Sequence, residues 1–250
     1  MKPSYVTFSV DDGHPTDLTT AELLQKYELK ATFYIPLRNA ERCVMSGSQI
    51  QQLGRQFEIG AHTVNHVALT SLHKEQAWSE VKDGKIWLEN LLGNEVVSFC
   101  YPRGKFSATT AALVRKAGFL GARACLFNLV EFPGDPFCWG VSTHAYNHSP
   151  YIQVRHALLE ENFRGVWNYF ATYGATTEWR KHFICALDHV EQHGGIAHLY
   201  LHSWEIDSLG QWNELESMFK LVSDRKSLAR VTNGDLFRMW NLRNNGHHQT

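Results

Sequence analysis

The strongest constraint on the fold is an alternation of patterns. Short runs rich in β-branched and aromatic residues take turns with amphipathic helical stretches along most of the chain. Val6 to Val10, Ala31 to Ile35, Glu58 to Ala61, Val96 to Tyr101, Phe119 to Cys125, Phe137 to Val141, Ile196 to Leu201 and Arg230-Val231 read as strands. Helices are predicted for Leu18 to Tyr27, Ser48 (as cap) to Gln56, Glu75 to Leu92 and Ser107 (as cap) to Ala117. Further helices are predicted for Glu178 to His193, Trp212 to Val222, and from the cap Thr232 to about Trp240. Gly93, Gly118 and Gly194-Gly195 supply the stops. Parallel strands need a crossover between them and a helix is the usual one, so the pattern predicts an α/β fold with a mainly parallel sheet or barrel. In such folds reactive side chains gather where strands end and the following loops begin.

At 250 residues the chain suits one domain, read as spanning residues 1–250. The segment at about 143–178 fits the alternation least well. It carries Tyr146, Tyr151, Phe163, Trp167, Tyr169, Phe170 and Tyr173, and reads as an inserted helical region that either caps a site or packs on the core. A formal net charge of −1 and no Lys/Arg-rich block argue against nucleic acid as a partner. No stretch reaches the roughly 18 apolar residues that a membrane span needs, and Met1-Lys2-Pro3-Ser4 leads into no secretory pattern. The five cysteines are odd in number and form no C-x-x-C, so they read as reduced thiols packed like small hydrophobes. These features together predict a cytoplasmic protein.

Two places concentrate chemistry. The first strand runs Thr7-Phe8-Ser9-Val10 into Asp11-Asp12-Gly13, and two carboxylates at the end of a buried strand each need a metal, a cation or backbone donors. A plain Asp-Gly turn is the simpler alternative. The third strand ends in Gly60-Ala61 and is followed by His62-Thr63-Val64-Asn65-His66. On a helical turn, residues four apart share a face, so both imidazoles can reach one cation. The spacing alone is weak evidence, because the chain has four H-x-x-x-H pairs. His189/His193 reads as the face of a long helix. His198/His202 is predicted within a strand, too far apart for one metal. His144/His148 follows a strand but has no nearby carboxylate pair in the chain. His62/His66 combines a strand end with small flanking residues.

These motifs resemble those of the polysaccharide deacetylase family, also called the NodB-homology domain or carbohydrate esterase family 4. The resemblance covers about residues 5–125 and resumes at about 196–240. It rests on Thr7-Phe8-Ser9-Val10-Asp11-Asp12-Gly13, on His62-Thr63-Val64-Asn65-His66, on Tyr101-Pro102-Arg103-Gly104 and on Leu201-His202, in that order. It implies a distorted or incomplete (β/α) barrel and a metal-dependent hydrolase that removes an N-acyl group, acetyl first of all, from an amino sugar. It further implies Asp12, His62 and His66 as metal ligands, Asp11 as catalytic base, His202 as general acid, and the backbone N–H of Arg103 as oxyanion donor. Tyr101 and Trp204 are expected beside the substrate, Trp204 as an apolar wall, with core packing as its alternative. Zinc is the default metal, and iron, cobalt or nickel fit the same ligands.

The chain departs from the family pattern at two points. The Arg that usually stands two residues before the motif's Pro, orienting the base, is Cys100 here; Arg103 or Lys105 is the expected replacement. The usual D-x-x-D-W motif survives only as a partial echo at Asp135 to Trp139, which leaves the partner of His202 open between Glu205, Asp207 and others. The predicted substrate is an intracellular sugar or glycan precursor, nucleotide- or lipid-linked, with the aromatic insert in contact with a lipid or a second sugar. Two other readings compete: a hydrolase of a non-sugar cyclic amide on the same fold, and a glycan-binding protein with a degenerate site. Oligomeric state is not legible.

Overall fold

The structure is a computed structural model and describes residues 3–245. Eight strands form one parallel sheet: β1 (Ser4–Asp11), β2 (Thr32–Ile35), β3 (Glu58–Ala61), β4 (Ser98–Cys100), β5 (Gly121–Arg123), β6 (Thr143–His144), β7 (Gly195–Leu201) and β8 (Ala229–Arg230). The path runs β5-β4-β3-β2-β1-β7-β6, with β8 against β1. Beta7 pairs with β1 along nearly its whole length, from Ser4 to Val10. The other edge of β1 is shared, with β8 at Tyr5 and Val6 and β2 at Ser9 to Asp11. A strand that changes partner along one edge marks strong curling, and the result is a curled half-barrel with helices around it.

The helices are α1 (Asp17–Lys26), α2 (Gly47–Gly54), α3 (Lys74–Leu92), α4 (Ala108–Lys116), α5 (Pro150–Leu159), α6 (Phe163–Ala171), α7 (Trp179–His193), α8 (Ser203–Ser208), α9 (Trp212–Asp224) and α10 (Asn233–Asn245). Beta1 is buried from Val6 onward. Its Phe8 meets Phe183 of α7 and Phe219 of α9 edge-on, with ring centroids 6.1 and 5.1 Å apart. Truncating such a residue to alanine typically costs about 3–5 kcal/mol, so this contact ties the central strand to two helices of the outer layer.

Three local expectations are corrected. Helix α2 is capped by Ser46 rather than Ser48: the Ser46 hydroxyl accepts from Gln49 N–H, and the Gln49 side chain accepts from Ser46 N–H in return. The stretch from Phe137 to Val141 is not a strand. Trp139 bridges Arg123, but a turn over residues 136–138, with Cys138 N–H on the Asp135 carbonyl, interrupts the ladder before it. The sheet is continued instead by Thr143 and His144, at the start of the segment read as an insert. The rest of that segment contains α5 and α6. No described helix is long and apolar enough to cross a membrane.

Sheet register sets the site. Asp11 lies opposite Tyr34, Ala61 opposite Phe99, Cys100 opposite Arg123, and His144 opposite Tyr200. The residues that carry chemistry therefore sit at one level, at the carboxyl ends of the strands.

Candidate active site

The two carboxylates that end β1 have separate partners. Asp11 is the last strand residue, and Asp12 follows with a left-handed φ of 82°. This breaks the alternation of a strand, so neighbouring side chains need not face opposite ways. Both carboxylates are buried and border the same cleft.

Asp12 faces the histidines. Its Oδ1 lies 3.0 Å from His66 Nε2 and 3.8 Å from His62 Nε2. The other oxygen, Oδ2, accepts the indole N–H of Trp204 at 2.9 Å. Oδ1 is buried and receives no donor in hydrogen-bonding geometry. His62 Nδ1 lies 2.8 Å from the Cys100 carbonyl oxygen, which can only accept, so the proton sits on Nδ1 and the Nε2 lone pair faces Asp12. The three ligand atoms all lie within 4.8 Å of one another. Burial, aided by His66, pushes His62 down to about 4, which keeps the ring neutral and able to ligate near pH 7. A carboxylate oxygen lacking a donor, beside two imidazole nitrogens, is the donor set of a divalent cation with open positions.

The loop beneath these histidines is not the helical turn expected. Thr63 and His66 have φ of 66° and 53°, both left-handed, and the chain between them is irregular. The rings still come together, with centroids 4.9 Å apart. Alpha3 holds the loop: Glu80 accepts from the backbone N–H of Val64 and Asn65, each at 2.9 Å. Gly84 permits that approach, since a Cβ there would stand 3.2 Å from the Thr63 carbonyl carbon.

Asp11 turns to Arg123. The Arg123 guanidinium, wholly buried on β5, donates to Asp11 Oδ2 and lies 2.8 Å from Cys100 Sγ. Its charge is flanked by the Tyr34 and Tyr200 rings, 5.5 and 4.8 Å away. Burial alone would raise the Asp11 carboxyl, but Arg123, His62 and His202 outweigh it and hold Asp11 below the usual carboxylate range. The cation missing at Cys100 is thus supplied one strand across. Neither Arg103 nor Lys105 supplies it; they pair with Glu41 and Glu160.

His202 immediately follows β7 and is held by Glu205 from the first turn of α8. His202 Nδ1 lies 2.7 Å from Glu205 Oε2, and the same oxygen lies 3.0 Å from His144 Nε2. His144 Nδ1 in turn lies 3.0 Å from His148 Nε2, and the His144 ring stacks on Tyr200 at 4.3 Å. Burial alone would lower His202, but Glu205, Asp12 and Asp11 raise it to about 9. Asp207 is not the partner; it accepts from the Trp212 indole. His198 lies inside β7, bound to Ser9, and His189/His193 pair on α7 away from the cleft lining.

The cleft has a volume of about 300 Å³, and its walls include Asp11, Asp12, His62, His66, His202 and Trp204. Trp204 does more than wall it: the indole fixes Asp12, and Arg42 stacks 3.3 Å above the ring. Arg103 lines the mouth with φ 58°, in a tight turn over Pro102–Gly104. Gly104 is required there, because a Cβ would meet Cys125 Cβ at 2.5 Å. The expectation for Tyr101 is corrected: it is fully buried, donates to the Phe137 carbonyl at 3.1 Å, and lies outside the cleft lining.

Sequence reasoning missed Arg123 and set aside His144 and His148. Arg123 does leave a signal, a lone charge within the apolar run Gly121-Ala122-Arg123-Ala124-Cys125, since a charge buried in a strand demands a partner. His144 also follows the rule that site residues end strands.

The parallel half-barrel thus clusters a carboxylate and two histidines at its strand ends, a group that could hold a metal ion. Residues 1–122 match the family model described as polysaccharide deacetylase. YxkH of Bacillus subtilis, assigned by name to the polysaccharide deacetylases, is 28% identical over 123 residues, covering 47% of this chain and 44% of YxkH. The peptidoglycan-N-acetylglucosamine deacetylase of Bacillus cereus is 27% identical over 116 residues, 46% of this chain and 53% of that protein. The chain thus matches about half the length of these curated relatives. In fold, it is similar to a family 4 acetyl xylan esterase from Clostridium thermocellum solved with a cobalt ion. The TM-score is 0.58 at 16% identity, over 94% of this chain and 91% of that one.

Proposed function

We propose that this chain is a metal-dependent hydrolase that removes an N-acyl group, acetyl first, from an amino sugar in a nucleotide- or lipid-linked glycan precursor. The observation that carries this reading is the division of labour between the two adjacent aspartates. Asp12 faces two histidines, while Asp11 is paired with Arg123, although one of its oxygens also lies within 4.8 Å of a His62 nitrogen. The N-acetyl preference follows the name of the Bacillus cereus relative, a peptidoglycan-N-acetylglucosamine deacetylase. Five cysteines, all unpaired, fit a reducing compartment and support an intracellular, cytoplasmic role.

Asp12, His62 and His66 would hold one divalent cation, with zinc as the default and iron, cobalt or nickel as alternatives. When bound, it supplies a Lewis acid that polarises the acyl carbonyl and makes water more acidic. Asp11, ionised by Arg123, takes the proton of the attacking water. The backbone N–H of Arg103, at the cleft mouth, stabilises the oxyanion. His202, protonated against Glu205, gives its proton to the departing sugar nitrogen, which is too basic to leave as an anion. Trp204 keeps Asp12 aimed at the histidines and walls the acyl methyl.

The direct test is release of acetate or formate from N-acyl amino sugars, free and nucleotide- or lipid-linked, with and without chelator. Turnover that persists unchanged after chelation contradicts the proposal.

A further inference from the structure

Of the eleven large hydrophobic side chains exposed among the described residues, eight fall between Tyr146 and Phe170. The two helices there turn their patterns outward. Alpha6 buries Gly165, Asn168 and Tyr169, with the Asn168 amide donating to the Asn128 carbonyl at 2.8 Å. Its Phe163, Trp167 and Phe170, spaced i, i+4, i+7, are 69%, 66% and 57% exposed. Alpha5 buries Gln153 and Ala157 while Tyr151, Ile152, Leu158 and Leu159 stand in solvent. A surface helix ordinarily does the reverse, and apolar patches of this extent mark binding faces.

The geometry points to this α5–α6 face as a docking surface for a lipid bilayer, which brings the headgroup sugar of a lipid-linked substrate to the cleft. This rests on the hydrolase reading above and selects lipid-linked over nucleotide-linked substrate. Continuity with the cleft carries it. His156 of α5 lines the cleft and stacks on Phe127, centroids 4.6 Å apart, while Ile152 and Leu159 stand one turn to either side of it. On the adjacent face of α5, a groove of about 610 Å³ is walled by Pro150, Tyr151, Val154, Arg155, Leu158 and Leu159. Apart from Arg155 these walls offer hydrocarbon and a tyrosine ring. A protein partner ordinarily makes about one hydrogen bond per 100–200 Å² of interface, whereas lipid chains need none. The chain would lie on the membrane rather than cross it, as amphipathic interfacial helices do. Arg164 is already paired with Glu131 at 2.7 Å, and Glu160 with Lys105. Attachment is therefore driven mainly by apolar burial, with Arg155 the one cation in the groove wall.

The test is flotation of the full chain with phosphatidylcholine vesicles containing a minor fraction of phosphatidylglycerol, at low and high salt. The wild type is expected to float at both salt concentrations, and L159E/W167E to lose roughly tenfold or more of that binding. Both substitutions lie on exposed positions outside the cleft lining, so turnover of a water-soluble N-acetyl oligosaccharide should be unchanged in the variant. Wild-type protein that stays at the bottom of the gradient overturns the inference. So does a dimer, seen by sedimentation, that the same substitutions dissolve, because the face is then a contact between copies. Flotation needs no catalysis, so its failure leaves the hydrolase reading standing, and loss of soluble-substrate turnover in the wild type sinks that reading separately.

Discussion

Arg123 stands directly opposite Cys100 in the β4–β5 ladder, and its guanidinium reaches past that thiol to the Asp11 carboxylate. A cation expected on one strand is delivered from its neighbour, to the same carboxylate at the same level of the sheet. Replacing Arg123 with methionine leaves Asp11 buried and unpaired, which costs about 3–5 kcal/mol. The melting temperature should fall accordingly. Exchanging the pair, with Cys100→Arg and Arg123→Cys together, should recover part of the loss relative to Arg123→Cys alone. A double variant no better than the single one contradicts the pairing.

Asp11 and Asp12 should fail differently. Asp12→Asn is expected to abolish tight metal binding, since it changes the oxygen that faces both histidines. Asp11→Asn should keep the metal and lower kcat by roughly 100- to 10,000-fold, the usual contribution of a general base. Metal content per chain, measured with turnover on each variant, separates the two roles.

The early motifs carried the site because its parts are near in sequence or at strand ends. His62 and His66 are four residues apart, and Asp11 and Asp12 adjoin, so their convergence needed only the parallel sheet that the alternation already implied. The means differed: two left-handed residues pinned by Glu80, not a helical turn, bring the imidazoles together. Arg123 was illegible as a partner of Asp11 because 112 residues separate them, and only the strand register joins them. Tyr101 misled because it belongs to a motif that lines the site through its backbone turn, while its own ring packs inward. Residues 137–141 misled because their composition is that of a strand, although a turn over 136–138 leaves them only one bridge.

Activity should fall as pH rises through about 9. Burial alone would lower His202, but Glu205 and the two aspartates raise it to about 9, so the acid form is lost only above that point. Glu205→Gln removes the strongest of the raising influences, and the alkaline limb of kcat should move to lower pH. Glu205→Gln with an unmoved limb contradicts the assignment of His202 as acid.

Trp204→Phe keeps an apolar wall but removes the donor to Asp12 Oδ2. Metal affinity should weaken by roughly 10- to 100-fold, as for other groups that orient a ligand from behind. Competition with a chromogenic chelator measures it, and an unchanged affinity means that the indole does not orient Asp12.

The most direct measurement is titration of metal-stripped protein with cobalt(II), followed by its visible absorption, on the wild type and on Asp12→Asn, His62→Asn and His66→Asn. Saturation at one ion per chain in the wild type and its loss in all three variants is the predicted result. A wild-type protein that takes up no ion, or variants that bind as well as it does, would contradict the account.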